Sequence, residues 1–442
     1  MGTLGASAPS YFSSKGACAA SGGSRRRAFV KISGALQRGA SLLALVALLL
    51  AQFLAVRVAR PLVLPPQQTV TTRNPLIGVH TRLTGVGDEA YVRRSLEQVR
   101  ELGAPWIVEL FPWAYVQPRS RYGYDWAGSD MVIAHARRQG LTVVARLDLV
   151  PAWARPAGTT DRYLDPEHYA DYAAFAAAFA ARYGPQGVRH LIIWNEPNLR
   201  FEWGERPPDP GAYAALLKVV YPAIKAAAPD AIVVAGALSP GSSLDAGTTR
   251  MDDMQYLASL YDAEAGPFFD MWAVHAYGGQ APPEATPAPE QVNFRRVELV
   301  RALMDRSGDA AKRVIITEGG YNDHPRWSAA VRPVDRIRWT IATYELARSY
   351  PWLEAVVLWQ FSTPFATRSY PDAWNFVAPD GTPRAIYEAV QAYATGAGAL
   401  DHERRESPRT TAKPATRHAL FRVRAVRTRS RRSWSRRLRA CP

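Results

Sequence analysis

Eight short apolar segments that alternate with longer helical patterns predict an α/β fold, a closed (β/α)8 or TIM barrel, over residues 75–397. The segments are apolar throughout, which is typical of strands buried on both faces of a parallel sheet. No glycine-rich phosphate loop follows the first segment, where the sequence reads HTRLTGVG, so a doubly wound nucleotide-binding sheet is disfavoured. The predicted strands are residues 76–80, 106–110, 141–147, 190–194, 231–236, 269–275, 313–317 and 355–359.

Helical patterns fill the intervals between these strands. The clearest are residues 88–102, 173–183 and 212–228. Because each predicted strand is followed by such a pattern, the order of elements is that of a barrel in which every strand has its own covering helix.

Composition agrees with one large domain. The chain has 442 residues, of which 48% are hydrophobic and 21% charged, so it can bury a sizeable core and is too apolar for intrinsic disorder. The only cysteines are Cys18 and Cys441. This excludes a disulfide framework and a cysteine-based structural zinc site.

The net charge of +15 belongs to the terminal segments. Residues 1–74 carry nine Lys and Arg and no acids, and residues 401–442 carry fourteen against three acids. The intervening residues 75–400 hold 31 basic and 36 acidic side chains. Since the predicted barrel is mildly acidic, we expect no nucleic-acid partner.

The N-terminal region divides into three predicted segments: a basic cytoplasmic leader over residues 1–38, a transmembrane anchor or signal over 39–58, and an extended linker over 59–74. The second contains an uncharged apolar stretch long enough to span a bilayer as a helix. Because its basic flank should stay in the cytoplasm, we expect a single-pass membrane protein with an extracytoplasmic barrel. A cleaved signal peptide, including one of the twin-arginine type suggested by RRRAFVK, would make the protein secreted.

The C-terminal region, residues 398–442, is rich in arginine and lacks any periodicity. Such a composition is typical of a solvated tail, so we expect it to be disordered.

Two glutamates follow different predicted strands. Glu196 lies in WNEP after the fourth strand, and Glu318 lies in TEGG after the seventh. Catalytic residues of (β/α)8 barrels lie at the carboxyl ends of the strands. Double-displacement glycoside hydrolysis requires two carboxylates, because one attacks the anomeric carbon while the other protonates the departing oxygen and then activates water. The sequence therefore predicts the catalytic pair of a glycosidase.

The motifs IIWNEPN and ITEGG resemble those of the clan A glycoside hydrolases, which are retaining enzymes with (β/α)8 barrels. Within that clan, WNEPNLRFEWG followed by AYAALLKVVYPAIKAAAPDAIVVAG is most similar to family 39, which includes β-xylosidases, α-iduronidases and endo-acting hydrolases of bacterial exopolysaccharides. The similarity covers residues 75–395, and NFVAPDGTPRAIYEAV resembles the last loop and helix of such barrels.

The resemblance implies roles for three residues of these motifs. Glu196 matches the general acid/base and Glu318 the nucleophile. Asn195 would hydrogen-bond the sugar 2-hydroxyl, a contact that strengthens in the transition state. The structural alternative for Asn195 is a cap at the end of a strand.

It also implies three further substrate-binding residues. Tyr277 would donate a hydrogen bond to the nucleophile, His275 would line the same subsite, and Trp359 would form the floor under the sugar at the cleavage point. A buried histidine with satisfied hydrogen bonds and a core-filling tryptophan are the structural alternatives for the last two.

Other strand ends supply residues that either contact the substrate or form structural ion pairs. The substrate-binding candidates among them are His80, Trp113 and Arg146, accompanied by Arg82, Glu109 and Asp148. Aromatic residues in the predicted loops favour an oligosaccharide or polysaccharide over a small glycoside, because sugar rings stack on aromatic faces. They are Trp126, Trp153, Phe201, Trp203, Tyr321, Trp327, Phe361 and Trp374.

The sequence thus predicts a monomeric retaining glycoside hydrolase that needs no cofactor, since the two carboxylates supply the chemistry. A metal site is not expected, because the first strand ends with only one histidine, His80. Two alternatives stay open. One is a transglycosidase that uses an acceptor sugar in place of water, and the other is a non-catalytic, membrane-tethered carbohydrate-binding protein.

Overall fold

The computed structural model describes residues 41–48, 50, 66–241 and 249–396. Residues 41–48 and 50 are helical, and within the described ranges every helix is too short or too polar to span a bilayer. The predicted leader (1–38), the remainder of the predicted anchor (39–58) and the predicted tail (398–442) lie outside these ranges. The chain separates into two units, residues 1–65 and 66–442, and the fold described below is that of the second.

Eight parallel strands form a closed barrel in which each strand pairs with its neighbours in sequence and β8 closes on β1. All eight predicted strands are confirmed, with ends that differ from the prediction by at most three residues. They are β1 (Ile77–Thr81), β2 (Trp106–Pro112), β3 (Thr142–Asp148), β4 (His190–Ile193), β5 (Ile232–Leu238), β6 (Met271–Tyr277), β7 (Arg313–Gly320) and β8 (Leu353–Leu358).

A helix follows each strand, as the sequence pattern predicts. These are α1 (Glu89–Glu101), α2 (Ala127–Arg138), α3 (Tyr169–Tyr183), α4 (Pro210–Ala227), α5 (Asp253–Asp262), α6 (Arg296–Arg306), α7 (Pro333–Ala347) and α8 (Ala385–Thr395). Aspartate side chains cap the helices α1 and α4: Asp88 accepts from the backbone N–H groups of Ala90 and Tyr91, and Asp209 from that of Ala212. Such caps satisfy N–H groups that have no partner within the helix.

Two apolar cores explain why the strands are apolar throughout. Alternate strand residues point into the barrel, where a small cluster that includes Val108, Ile192, Met271 and Val357 fills the interior. The other strand residues point outward and pack against the helices in a much larger cluster. Both faces of each strand are therefore dry, and the cores hold the strand ends rigidly in place.

Strands β6 and β7 are not paired in simple register. The pairing shifts between Val274 and His275, after which His275 lies opposite Glu318 and Tyr277 opposite Gly320. This irregularity brings the polar ends of the two strands side by side.

The domain begins before residue 75, which corrects the predicted linker over residues 59–74. The backbone N–H of Gln68 donates to the Arg138 carbonyl at the end of α2 (2.8 Å), and that of Arg73 donates to the Ala394 carbonyl in α8 (2.7 Å). The side chain of Asn74 is buried and donates to the Tyr344 carbonyl (2.9 Å). The described part of this segment is thus attached to the barrel, because its polar groups use helix carbonyls as partners.

Candidate active site

Glu196 follows β4 on a segment with an unusual backbone conformation. Trp194 and Glu196 have positive φ angles of 72° and 38°, which side-chain-bearing residues rarely adopt. The conformation is held by a hydrogen bond from the Glu196 N–H to the Ala237 carbonyl at 2.9 Å and by the buried Trp194 ring, whose Nε1 donates to the Glu202 carbonyl. It places the Glu196 carboxylate at the mouth of the barrel, half-buried.

Glu318 lies within β7 and is buried, with 7% of its surface exposed. The guanidinium of Arg146 donates to its Oε1 at 3.0 Å, and the hydroxyl of Tyr277 donates to its Oε2 at 2.8 Å. These two donors occupy both carboxylate oxygens, so the Glu318 side chain is held in one orientation.

The two glutamates are close to one another and share a histidine. One carboxylate oxygen of each glutamate and a ring nitrogen of His275 all lie within 4.8 Å of one another. The Nδ1 of His275 is 2.7 Å from the Glu196 Oε1 and 3.7 Å from the Glu318 Oε2. His275 therefore lies within 4 Å of both carboxylates.

The surroundings of His275 and Tyr277 set their protonation. Burial alone would lower the pKa of His275, but the charge of Glu318 and the hydrogen bond to Glu196 raise this pKa above its ordinary value. Burial, reinforced by the charges of both glutamates, raises the pKa of Tyr277 well above its usual range. Tyr277 consequently keeps its proton and can donate it in the hydrogen bond to Glu318.

Arg146, from β3, connects the two glutamate-bearing strands. The same NH1 group that contacts Glu318 also donates to the Asn195 Oδ1 at 3.0 Å. This bond fixes the Asn195 side chain, whose amide N–H2 group then has no protein partner among the described residues. Asn195 is thus oriented with a free donor, as a residue that binds a sugar hydroxyl requires.

His80 and Trp359 form one side of the site. Their rings meet edge to face with centroids 4.6 Å apart, and the Arg82 guanidinium lies 5.8 Å from the Trp359 ring centroid. Burial and the positive charges of Arg146 and Arg82 lower the pKa of His80 well below its ordinary value, so its imidazole is neutral. Its Nε2 is 3.9 Å from the Glu318 Oε1. Trp359 is half-buried and joined to Gln360 by a cis peptide bond.

A small cavity at the end of the barrel interior gathers five of the predicted residues, with the remaining wall supplied by the strands. The five are His80, Arg146, Asn195, His275 and Glu318. Glu196, Tyr277 and Trp359 adjoin this group through the contacts described above. Residues from six strand ends, separated by as much as 279 positions between His80 and Trp359, therefore converge at one point.

Trp113 does not join this group, which corrects its prediction as a substrate-binding residue. It is fully buried and lies among Trp153, Tyr172 and Phe175 in the layer between strands and helices. The reason is the direction of the chain after β2, where a one-turn helix over Trp113–Val116 turns the ring outward from the barrel axis. Its Nε1 donates to Gln117 at 2.7 Å, so both its apolar and polar parts are used in packing.

Several loop aromatics also serve packing instead of a sugar cleft. Trp203, Tyr321 and Phe361 are buried, and Trp126 packs against Phe179 and Tyr183 of α3. Trp327 and Trp374 are different, because they line a second cavity that also contains the Tyr277 ring.

An ion-pair chain behind Arg146 includes two residues that the sequence analysis missed. The Nε of Arg146 is 3.2 Å from Asp148 Oδ2, the NH1 of Arg162 is 3.2 Å from the same oxygen, and Arg162 is 2.6 Å from Glu202 Oε2. Arg162 and Glu202 are the missed members. Glu202 lies in the same WNEPNLRFEWG motif as Glu196. Its charged side chain within this motif could have identified it as a candidate site residue.

The cluster of Glu196, His275 and Glu318 is the one group among the described residues with the donor types and spacing of a metal site. However, the Arg146 guanidinium already contacts the Glu318 carboxylate at 3.0 Å. Its positive charge opposes a divalent cation at this carboxylate, so the donor set suits a proton-transfer pair better than a metal.

The fold of this chain is similar to those of several solved structures. No protein-family model matches the chain, and no curated protein matches it. Among solved structures, it is similar to a family 39 glycoside hydrolase from the gut symbiont Bacteroides cellulosilyticus WH2, with a TM-score of 0.57 and 20% sequence identity. That match covers 73% of this chain and 64% of the Bacteroides chain, so this protein spans less than two thirds of that relative.

Two further solved structures are similar. A monomeric β-xylosidase from Caulobacter crescentus CB15 has a TM-score of 0.55 at 21% identity, covering 73% of this chain and 69% of its own. A GH39 enzyme from Xanthomonas axonopodis pv. citri has a TM-score of 0.54 at 17% identity, covering 76% and 71%. The comparisons confirm the expected resemblance at the level of the fold: this chain has a (β/α)8 barrel like those of family 39 glycoside hydrolases.

Proposed function

We propose that this protein is a glycoside hydrolase that cleaves a carbohydrate substrate with retention, by double displacement through a glycosyl-enzyme intermediate. The observation that carries the proposal is the proximity of Glu196 and Glu318, whose nearest oxygens lie within 4.8 Å at the ends of β4 and β7. The similarity in fold to family 39 glycoside hydrolases supports it.

In the first step, Glu318 attacks the anomeric carbon while Glu196 gives its proton to the departing oxygen. Arg146 and Tyr277 hold Glu318 aimed at the substrate, so little reorganisation is needed before attack. In the second step, Glu196 takes a proton from water, and the resulting nucleophile releases the sugar. His275 is hydrogen-bonded to Glu196 and positions it for both proton transfers.

The substrate-binding residues follow from the same arrangement. We assign the sugar at the cleavage point to the space between Trp359 and the two glutamates, with Asn195 donating to its 2-hydroxyl. His80 supports the Trp359 ring. The substrate class is an oligosaccharide or polysaccharide, and we propose that the protein acts as a monomer.

The mechanism is tested by the intact mass of the full chain after incubation with a panel of 2-fluoro glycosides, with Glu318→Gln as the matched control. We expect a 1:1 adduct in the parent only, because the fluorine slows release of the covalent intermediate and the amide cannot attack. If no member of the panel gives an adduct and a polysaccharide panel shows no hydrolysis, the proposal is wrong.

The role of Glu196 has a separate test. Glu196→Ala should lose at least 100-fold in kcat/KM on substrates whose leaving group needs a proton, and should largely keep formation of the intermediate from activated aryl glycosides. An equal loss on both classes of substrate would assign Glu196 a different role.

We also propose that residues 39–58 carry the barrel across the cytoplasmic membrane and anchor it there. Support comes from the uncharged apolar stretch behind a basic flank. Cells that produce the full chain should show the barrel in the membrane fraction and open to external protease, whereas a chain lacking 39–58 should remain protected in the cytoplasm. Recovery of the full chain in the cytoplasm would contradict this localisation.

A further inference from the structure

A second cavity adjoins the candidate active site and differs from it in character. Its volume is about 370 Å³, and its wall is almost wholly apolar, formed by Tyr277, Val292, Trp327, Ala329 and Trp374 with one polar residue, Asn322. It lies between the loops that follow β6, β7 and β8. The ring of Tyr277 belongs to this wall while its hydroxyl contacts Glu318, so the cavity is one side chain away from the nucleophile.

Three aromatic rings of the wall form a continuous surface, and a fourth ring, that of Tyr370, supports it. The Tyr277 and Trp374 centroids are 5.2 Å apart, those of Trp374 and Trp327 are 5.7 Å apart, and Trp327 stacks on Tyr370 at 5.4 Å with an interplanar angle of 17°. Edge-to-face and stacked contacts of this kind hold each ring in place. The apolar surface is therefore preformed.

The loop that carries Trp327 and Ala329 is fixed to its neighbour. The Gln280 Nε2 donates to the carbonyls of Ser328 and Ala330 at 3.0 and 3.2 Å, and the Val331 N–H donates to the Asn322 carbonyl at 2.8 Å. The two Gln280 bonds connect the β6 and β7 loops, and the Val331 bond closes the β7 loop on itself. A cavity held open in this way suits a ligand that fills it without rearrangement.

The Tyr277 hydroxyl and both polar atoms of the Asn322 side chain already have partners. The Tyr277 hydroxyl donates a hydrogen bond to Glu318, the Asn322 Nδ2 donates to the Tyr370 carbonyl at 2.9 Å, and the Asn322 Oδ1 accepts from the His324 N–H at 2.9 Å. A bare sugar placed here would lose hydrogen bonds to water and recover few of them, which costs free energy. An apolar group loses nothing comparable and gains from burial.

We infer that this cavity binds an apolar substituent of the substrate, so that the enzyme acts on glycosides that carry an alkyl, aryl or acyl group. The inference rests on the proposed function, because the substituent is recognised as part of a substrate bound at Glu196 and Glu318. Two sources share this chemistry: an aglycone on the leaving side, or an acyl ester on the sugar.

The test measures binding by isothermal titration calorimetry with the full chain. The aglycone arm compares methyl and octyl 1-thio-β-D-glucopyranoside, and the acyl arm compares methyl 1-thio-β-D-glucopyranoside with its 6-O-octanoyl ester. We expect the octyl or the octanoyl probe to bind roughly 60-fold more tightly than the methyl glycoside, which corresponds to about three buried methylene groups at roughly fourfold each. The arm that shows the gain identifies the source.

Variants locate the gain in this cavity. Ala329→Phe fills the cavity and should remove at least nine tenths of the gain in affinity for the apolar probe. Ser328→Phe adds the same ring at the neighbouring exposed position and should keep the full gain in affinity. Trp327→Ala removes part of the wall and should lower the affinity for the octyl or octanoyl probe at least tenfold. This variant tests the inference independently if Ala329→Phe does not fold.

The inference is overturned if neither apolar probe binds more tightly than the methyl glycoside, or if Ala329→Phe and Trp327→Ala both keep the full gain. Its failure is distinguishable from failure of the proposed function. If Glu318 is labelled but an apolar group gives no gain in affinity, the protein is a hydrolase and the cavity has no role in substrate binding. If an apolar group gives a gain in affinity but neither labelling nor hydrolysis is seen, the cavity binds apolar groups and the proposed hydrolase function is wrong.

Discussion

Glu318 is surrounded by groups that differ in charge. Arg146 contributes a fixed positive charge, Tyr277 a neutral hydroxyl whose pKa is raised by burial, and His80 a neutral ring at 3.9 Å. Because the arginine is itself buried, with 7% of its surface exposed, its charge is poorly screened by water. Glu318 therefore accepts hydrogen bonds from two of these groups, and a single substitution can remove either one.

Tyr277→Phe removes one of the two direct donors to Glu318 and leaves the aromatic ring in place. A hydrogen bond to a charged group contributes about 1.5–3 kcal/mol, so kcat/KM should fall by roughly 10- to 100-fold. Steady-state kinetics on an activated aryl glycoside measures this. Tyr221→Phe on α4 deletes a hydroxyl that donates to Asp270 at 3.0 Å, far from Glu318 in the fold, and should keep full activity. Equal rates for the two variants would show that Tyr277 has no role in catalysis.

At the level of elements, the loop after β1 depends on one buried carboxylate of β2. Glu109 accepts hydrogen bonds from the Thr81 hydroxyl at 2.5 Å and from the backbone N–H groups of Leu83 and Thr84 at 2.8 and 2.7 Å. Arg82, which lies over Trp359, is on this loop. Sequence analysis placed Glu109 among the possible substrate contacts, but it is fully buried and its bonds hold the β1 loop in place.

Glu109→Ala leaves two backbone N–H groups of the β1 loop without partners. We expect the free energy of unfolding to fall by about 2–4 kcal/mol, since buried unpaired polar groups cost about 1–3 kcal/mol each. Chemical denaturation followed by circular dichroism measures the change. The control is Glu97→Ala on α1, which removes only surface ion pairs and should stay within about 0.5 kcal/mol of the parent. A similarly small effect of Glu109→Ala would mean that the loop is held by other contacts.

Across the whole barrel, buried charges make stability depend on pH. The ion-pair chain runs from Glu318 through Arg146, Asp148 and Arg162 to Glu202, and it joins the ends of β3 and β7 to the loop after β4. Burial raises the pKa of Glu202 from 4.5 to about 7, against the opposing charge of Arg162. The folded state therefore binds more protons at Glu202 than the unfolded state does between these two pH values.

It follows that Glu202 lowers stability as pH rises from 4.5 through 7, and Glu202→Gln removes this dependence. We expect the difference in unfolding free energy between variant and parent to shift in favour of the variant by up to about 3 kcal/mol from pH 4.5 to pH 8. Thermal unfolding at several pH values measures it, with the exposed Glu205→Gln as control. A shift of the opposite sign would show that Glu202 enters the folded state as a stabilising anion.

The attachment of residues 66–74 to the barrel also has a measurable consequence. A chain of residues 75–396 lacks the bonds of Gln68, Arg73 and Asn74 to the helices, whereas a chain of 66–396 keeps them. We expect the shorter chain to have a Tm lower by about 5 °C or more, since each lost hydrogen bond costs about 1 kcal/mol. Identical Tm values would restore residue 75 as the domain boundary.

The order of strands and helices, the barrel and the position of both glutamates at strand ends could all be predicted from the sequence. These features depend on local patterns: apolar runs predict buried strands, helical periodicity predicts the covering helices, and the strand ends of a barrel share one face. Glu196 and Glu318 were found because the motifs WNEP and TEGG follow such runs directly.

What the sequence by itself determined is therefore the fold and which residues lie at the end of each strand. Only the tertiary structure decided which of those residues face the site. Glu109 lies within β2 and Trp113 follows it, yet hydrogen bonding and aromatic packing direct them elsewhere, while Arg162 and Glu202 join the site from loops. The physical reason is that the direction of a side chain after a strand depends on loop conformation and on contacts with residues distant in the chain, which no local pattern encodes.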